Sequence, residues 1–155
     1  MAVSLVPRTK PDPEVVALVE ELEATLAAWY PPEQRHGLRL DALFQPHIRF
    51  FVAYRDDRAV GCGGVAMFDD FAEVKRMFVC PEERGTGVAD AVMNRLVEET
   101  REAGLPVLRL ETGIHQHASL RFYARMGFVR CEAFGAYRTM DPHSIATSVF
   151  MERPV

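Results

Sequence analysis

Cysteine is scarce in this chain. Cys62, Cys80 and Cys131 are odd in number, far apart and without a Cys-x-x-Cys pair, which argues against a disulfide framework and against a thiol metal or redox motif. A reducing cytoplasm is the expected location. Excess positive charge is also missing: 18 Lys and Arg stand against 22 Asp and Glu, for a net charge of -4 and a pI near 5.7. Such a balance excludes nucleic-acid binding through bulk positive charge. No run approaches the ~18 apolar residues of a membrane span, so no membrane partner is expected. The opening MAVSLVPRTKPDPE lacks a basic region followed by an apolar one and does not read as a signal peptide. Internal repeats and low-complexity tracts are absent as well.

What is there belongs to an ordinary globular protein. The 155 residues, 17.5 kDa, are 48% hydrophobic and 26% charged with a mean hydropathy of -0.06, and are expected to form one domain over 1–155. A fold of this mass hides roughly 70% of its extended-chain surface, on the order of 17,000 Å², without needing disulfide or metal staples.

The apolar start at Val3–Val6 precedes Asp12-Pro13, an N-cap followed by proline at the first helical position. Val15, Leu18, Val19, Leu22, Leu26 and Trp29 then recur at helical spacing until Pro31-Pro32 ends the run. A second, short helix is expected within Leu38–Phe44. Ile48–Tyr54, Ala59–Phe68 and Phe71–Val79 read as an antiparallel meander, with turns at 55–58 and at Asp69-Asp70. Glycines at 61, 63 and 64 predict a bulge or a close backbone approach in the middle strand. The helical period returns from Gly87, with Val88, Ala89, Val92, Met93, Leu96 and Val97 as its apolar stripe, and stops at Gly104 and Pro106. A strand over Val107–Thr112, a helix over Gln116–Met126 capped by Gly127, and strands over Phe128–Phe134 and Ile145–Glu152 complete the chain. The expected fold is α/β: a mixed, mostly antiparallel sheet of six or seven strands with about four helices. One parallel crossover links the strand at 71–79 to that at 107–112.

The most informative stretch is VCPEERGTGVADAVMNRL, from Val79 to Leu96. A strand ends at Val79, a loop passes through Arg84-Gly85-Thr86-Gly87, and a helix begins. Exposed N–H groups at a helix start, glycines that admit a ligand to the backbone, and an adjacent arginine together describe an anion site. The alternative is a glycine-rich strand-to-helix turn without a ligand. A P-loop requires Lys-Ser or Lys-Thr after its last glycine, where Val88-Ala89 stands, and a dinucleotide fingerprint requires a third glycine where Asp90 stands. Both nucleotide readings fail.

Arg84-Gly85-Thr86-Gly87-Val88-Ala89 resembles the R/Q-x-x-G-x-G/A signature of the GCN5-related N-acetyltransferases, the GNAT superfamily. Ala72–Val79, AEVKRMFV, is similar to that family's fourth strand. Leu110-Glu111-Thr112-Gly113 and LRFYARMGF, from Leu120 to Phe128, resemble its fifth strand and following helix. The resemblance runs over roughly residues 48–152. It implies the GNAT fold and transfer of an acetyl group from acetyl-CoA to an amine, without a metal. On the same resemblance, the pantetheine arm is expected along Met77, Phe78 and Val79, and the diphosphate over Arg84, Gly85, Thr86, Gly87, Val88 and Ala89. Thr86 replaces a frequent Lys or Arg. Gln116 stands where many members carry asparagine and is expected to contact the cofactor, as is Tyr123.

For catalysis the resemblance implies Tyr123 as the general acid beside the sulfur and Glu73 as the base. Strand alternation predicts Glu73, Lys75, Met77 and Val79 on one face, with Arg76 on the other. An amine of pKa about 10 is mostly protonated at neutral pH, so a base assists. Glu73 paired only with Lys75 or a cross-strand arginine is the competing reading. His115-x-His117 lacks a third ligand, and Cys80 lacks a neighbouring histidine. Tyr30 and the Arg35-His36…Arg39 group line either the acceptor pocket or a solvated connection. A small-molecule or amino-acid-like amine is the expected acceptor and a homodimer a common state in the family. A non-catalytic acyl-CoA-binding module and a protein lysine or N-terminal acetyltransferase stand as alternatives.

Overall fold

In the computed structural model, which describes residues 2–155, Asp12 starts the first helix as its sequence predicts. The Asp12 carboxylate accepts from the Val15 N–H at 3.1 Å, with Pro13 at the first helical position. The elements in chain order are β1 (Val3–Arg8), α1 (Pro13–Ala27), β2 (Ile48–Arg55), β3 (Arg58–Met67), β4 (Ala72–Val79), α2 (Val88–Glu102), β5 (Val107–Gly113), α3 (His117–Arg125), β6 (Val129–Arg130) and β7 (Ser148–Pro154). The seven strands form one sheet in the order β1-β2-β3-β4-β5-β7-β6. All pairings are antiparallel except β4 with β5.

Helices cover both faces of the sheet. The α2 stripe of Val88, Val92, Met93, Leu96 and Val97 packs on Phe51, Ala53, Val65, Val74, Leu108 and Leu110, and α3 adds Tyr123 to this layer. On the other face Val15, Leu18, Val19 and Leu22 of α1 meet Phe50, Val52, Cys62 and Phe78. A third cluster, Phe71, Phe134, Tyr137 and Phe150, closes the lower end of the sheet. Strands buried on both faces explain why β2 reads as a continuous apolar run rather than an alternating one.

Several boundaries differ from expectation. Leu38–Phe44 yields only a 3-10 turn over Asp41–Phe44, because Leu43 alone is buried there and so short a segment cannot nucleate an α-helix. The strand expected over 128–134 shrinks to Val129–Arg130, since the chain leaves the sheet to bury Phe134 among aromatic rings. The last strand begins at Ser148 and not at Ile145. Trp29 lies beyond the end of α1 and is 60% exposed, stacked on His115.

The correction that matters most concerns β4. Cys62 faces Phe78 and Gly64 faces Lys75, so Gly63 of β3 opposes two residues of β4, Arg76 and Met77. Arg76 takes a left-handed φ of 51° at this bulge. Gly63 lies close under α2, where a Cβ would be 2.6 Å from Val92 Cγ1. The extra residue inverts the alternation. Glu73 and Lys75 stay on the α1 face, whereas Met77 and Val79 turn to the α2 layer and do not share the face of Glu73. Arg76, in turn, reaches Glu23 of α1 and the Leu38 carbonyl on the α1 side.

Candidate active site

The parallel pair β4/β5 joins only at Ala72 with Leu108 and Glu73 with Arg109. Beyond that point the two strands part, and a cavity of about 130 Å³ opens between them. Its walls include Glu73 and Arg76 of β4, Glu111 of β5, Tyr123 of α3, and Tyr30 and Tyr137 from the connections. Helices α1 and α3 thus approach one opening from opposite faces of the sheet.

Glu73 is 4% exposed, and its Oε2 accepts from Lys75 Nζ at 2.9 Å and from the Tyr137 hydroxyl at 2.7 Å. Glu73 thus pairs with Lys75, and it also lines the cavity. Glu111 is the second carboxylate. It accepts from the Ser148 hydroxyl at 2.7 Å; burial raises its pKa, with the Glu73 charge adding to the rise. The Tyr123 ring packs in the core, and its hydroxyl has no protein partner among the described residues. Burial and then the Glu111 charge push its pKa up to about 12. The Tyr137 hydroxyl is raised too, by burial and then by the Glu73 charge.

Gln116 is already engaged. The Tyr30 hydroxyl accepts from the His115 N–H at 2.9 Å and donates to Gln116 Oε1 at 3.2 Å, tying the end of α1 to the start of α3. Tyr30, Arg35 and His36 line the cavity, whereas Arg39 is solvated beside Asp41. Sequence reasoning missed Tyr137, Glu111 and Ser148. Glu111 sits inside a quoted motif and alternates with the buried Leu108 and Leu110, which was the available signal. Tyr137 had none, since a 3-10 turn after an irregular loop has no periodicity to read.

The loop before α2 is built as a separate station. Glu83 beneath it binds Arg55 Nε at 2.8 Å and Arg58 at 2.9 Å, and the Arg55 hydrogen bond is the main cause holding its carboxyl below the usual range. The Thr86 hydroxyl donates to the Glu83 carbonyl at 2.6 Å, which fixes the turn. Gly85 and Gly87 have φ of 77° and 94°, and a Cβ on either would point into open space. No side chain caps α2, leaving its first N–H groups available, and Arg84 is exposed beside them. Asp90, in the first turn, is neutralised by Arg125 at 3.0 and 3.2 Å. Val88 faces the apolar layer, and Ala89 is half-buried. An uncapped helix start with left-handed glycines and a cation fits a diphosphate.

A profile of the acetyltransferase (GNAT) family matches residues 15–128. The chain belongs to the GNAT acetyltransferase family. A relative named IAA acetyltransferase, from Azospirillum brasilense, is 43% identical over 143 residues, covering 91% of this chain and 90% of its own. The structure of a Klebsiella pneumoniae protein named as an acyl-CoA N-acyltransferase superposes with a TM-score of 0.76 at 30% identity, covering 98% of this chain and 97% of that one. The fold is shared with the PaiA N-acetyltransferase of Thermoplasma acidophilum in complex with coenzyme A, at TM-score 0.71, 15% identity and full coverage of both chains. In this GNAT enzyme, an N-acetyltransferase by its relatives, the opened β4/β5 seam and the loop before α2 lie in consecutive parts of one strand–loop–helix unit. Among the described residues no His, Cys, Asp and Glu group has metal-site geometry, and no helix is long and apolar enough to cross a membrane.

Proposed function

We propose that this chain moves the acetyl group of acetyl-CoA directly onto the amine of a small, amino-acid-like acceptor held in the cavity between β4 and β5. The observation that carries this reading is the Tyr123 hydroxyl, which lies on the cavity wall with no protein partner among the described residues. Arg84 and the backbone N–H groups of Gly85 to Ala89 would hold the diphosphate, and the backbone of Met77 to Val79, freed by the parting of the strands, would run beside the pantetheine arm. When bound, acetyl-CoA supplies the activated acetyl group. Tyr123 keeps its proton at Oη throughout the working pH range and has it available for a thiolate whose own pKa is about 8.5. Two carboxylates are available to accept the amine proton. Glu73 is already engaged by Lys75 and Tyr137, whereas burial raises the pKa of Glu111, which makes Glu111 the better placed to take the proton. The three free thiols favour a reducing cytoplasm.

Thiol release from acetyl-CoA across an amine panel tests the proposal, with calorimetry of acetyl-CoA binding alongside. Turnover with one acceptor class supports it. Tight binding without thiol release from any amine or protein extract would replace it with a cofactor-binding module.

A further inference from the structure

The cavity is electrically divided. On the β4 side the Arg76 side chain is 5% exposed: its Nε donates to the Leu38 carbonyl at 2.8 Å, and one terminal nitrogen pairs with Glu23. Its other terminal nitrogen is buried without a partner. The guanidinium lies over Gly37, where any side chain would collide with it. Arg35 meets the other Glu23 oxygen at 3.2 Å, and its Nε is likewise buried and unpartnered. One carboxylate thus serves two guanidiniums, leaving a net positive charge on residues that line the cavity. His36 is spent elsewhere, its Nε2 at 2.7 Å from the Ser144 carbonyl.

On the β5 side the balance is reversed. Lys75 of β4 is spent on Glu73, and among the described residues no cation forms an ion pair with Glu111 of β5, which feels the His36 and Lys75 charges only at a distance and accepts its hydrogen bond from Ser148. We infer that the acceptor is a zwitterion, a small amino acid whose amine lies toward Glu111 and Tyr123 while its carboxylate lies toward Arg35, with the Arg76 charge behind it. This inference rests on the transferase reading above. Arginine suits the task because its planar fork matches the two oxygens of a carboxylate.

The test compares matched acceptors with the full-length enzyme and acetyl-CoA: free amino acids, their primary amides and their decarboxylated amines. The free acids are expected to have the higher kcat/KM by about 10- to 100-fold, the value of hydrogen bonds to a charged group. Arg35→Gln is expected to shrink that ratio about tenfold by raising KM for the free acid, with Arg35→Lys restoring part of it. Arg35 is the residue to change because its side chain is 22% exposed, whereas Arg76 also pins Leu38 and α1. Decarboxylated amines that react as well as their parent acids would overturn the inference and leave the transferase reading intact, as would an equal loss on all acceptors in Arg35→Gln. Absence of thiol release with any amine would remove both readings together.

Discussion

Replacing Tyr123 with phenylalanine removes one oxygen atom from a wall of the cavity. That oxygen makes no hydrogen bond to protein and its side chain is 8% exposed, so its loss breaks no contact and opens no void. Stability is expected to change by less than about 0.5 kcal/mol, about 2 °C in Tm for a chain of this length. Activity is expected to fall ~100-fold or more, the usual contribution of a positioned general acid. Tyr137→Phe is the matching control, since that hydroxyl lies on the same cavity but donates to the Glu73 carboxylate at 2.7 Å. Losing a buried hydrogen bond to a charged group costs about 1.5–3 kcal/mol, so Tm is expected to drop by roughly 5 °C or more. Thermal unfolding and thiol-release kinetics on the two variants give the four numbers required. Full activity in Tyr123→Phe would refute the acid role, and destabilisation equal to that of Tyr137→Phe would show a structural hydroxyl instead. The pH dependence adds a check. Tyr123 is raised from 10.0 to about 12 in the folded chain, so its stability contribution is intact below pH 10 and is lost as pH rises toward 12. Wild type and Tyr123→Phe should therefore diverge only in that alkaline window.

The raised Glu111 pKa means that its stabilising contribution is present below the unfolded value of 4.5 and lost as pH climbs through the folded one, so Glu111→Gln should raise Tm near neutral pH and lower kcat. That stability gain should vanish in melts below about pH 4.5. Arg84→Ala should leave Tm unchanged, because the side chain is exposed, but weaken coenzyme A binding about tenfold in a salt-sensitive manner, as calorimetry at two ionic strengths would show. Gly87→Val forces a branched residue to a φ of 94° and projects it into the space offered to the diphosphate. It should cost about 1–2 kcal/mol in stability while raising the KM for acetyl-CoA far more than that for the acceptor.

Local order was legible in the chain because local chemistry decides it. Asp12-Pro13 opens a helix wherever such a pair precedes an apolar stripe, and Gly85 and Gly87 supply left-handed turns that L side chains resist. The family signature around Arg84–Ala89 and the parallel crossover followed from spacing along one continuous segment. The acceptor cavity did not. Its shape depends on where β4 and β5 part company, its two faces are exchanged by a single extra residue at Arg76, and Glu73 acquires Tyr137 from 64 residues away. Alternation predicts facing only while the ladder is regular, and a bulge moves every later side chain across the sheet. Charge balance at the site is likewise a tertiary property. Glu23, Arg35 and Arg76 lie in three separate segments, and only the packing of α1 over the bulge leaves one carboxylate to serve two guanidiniums.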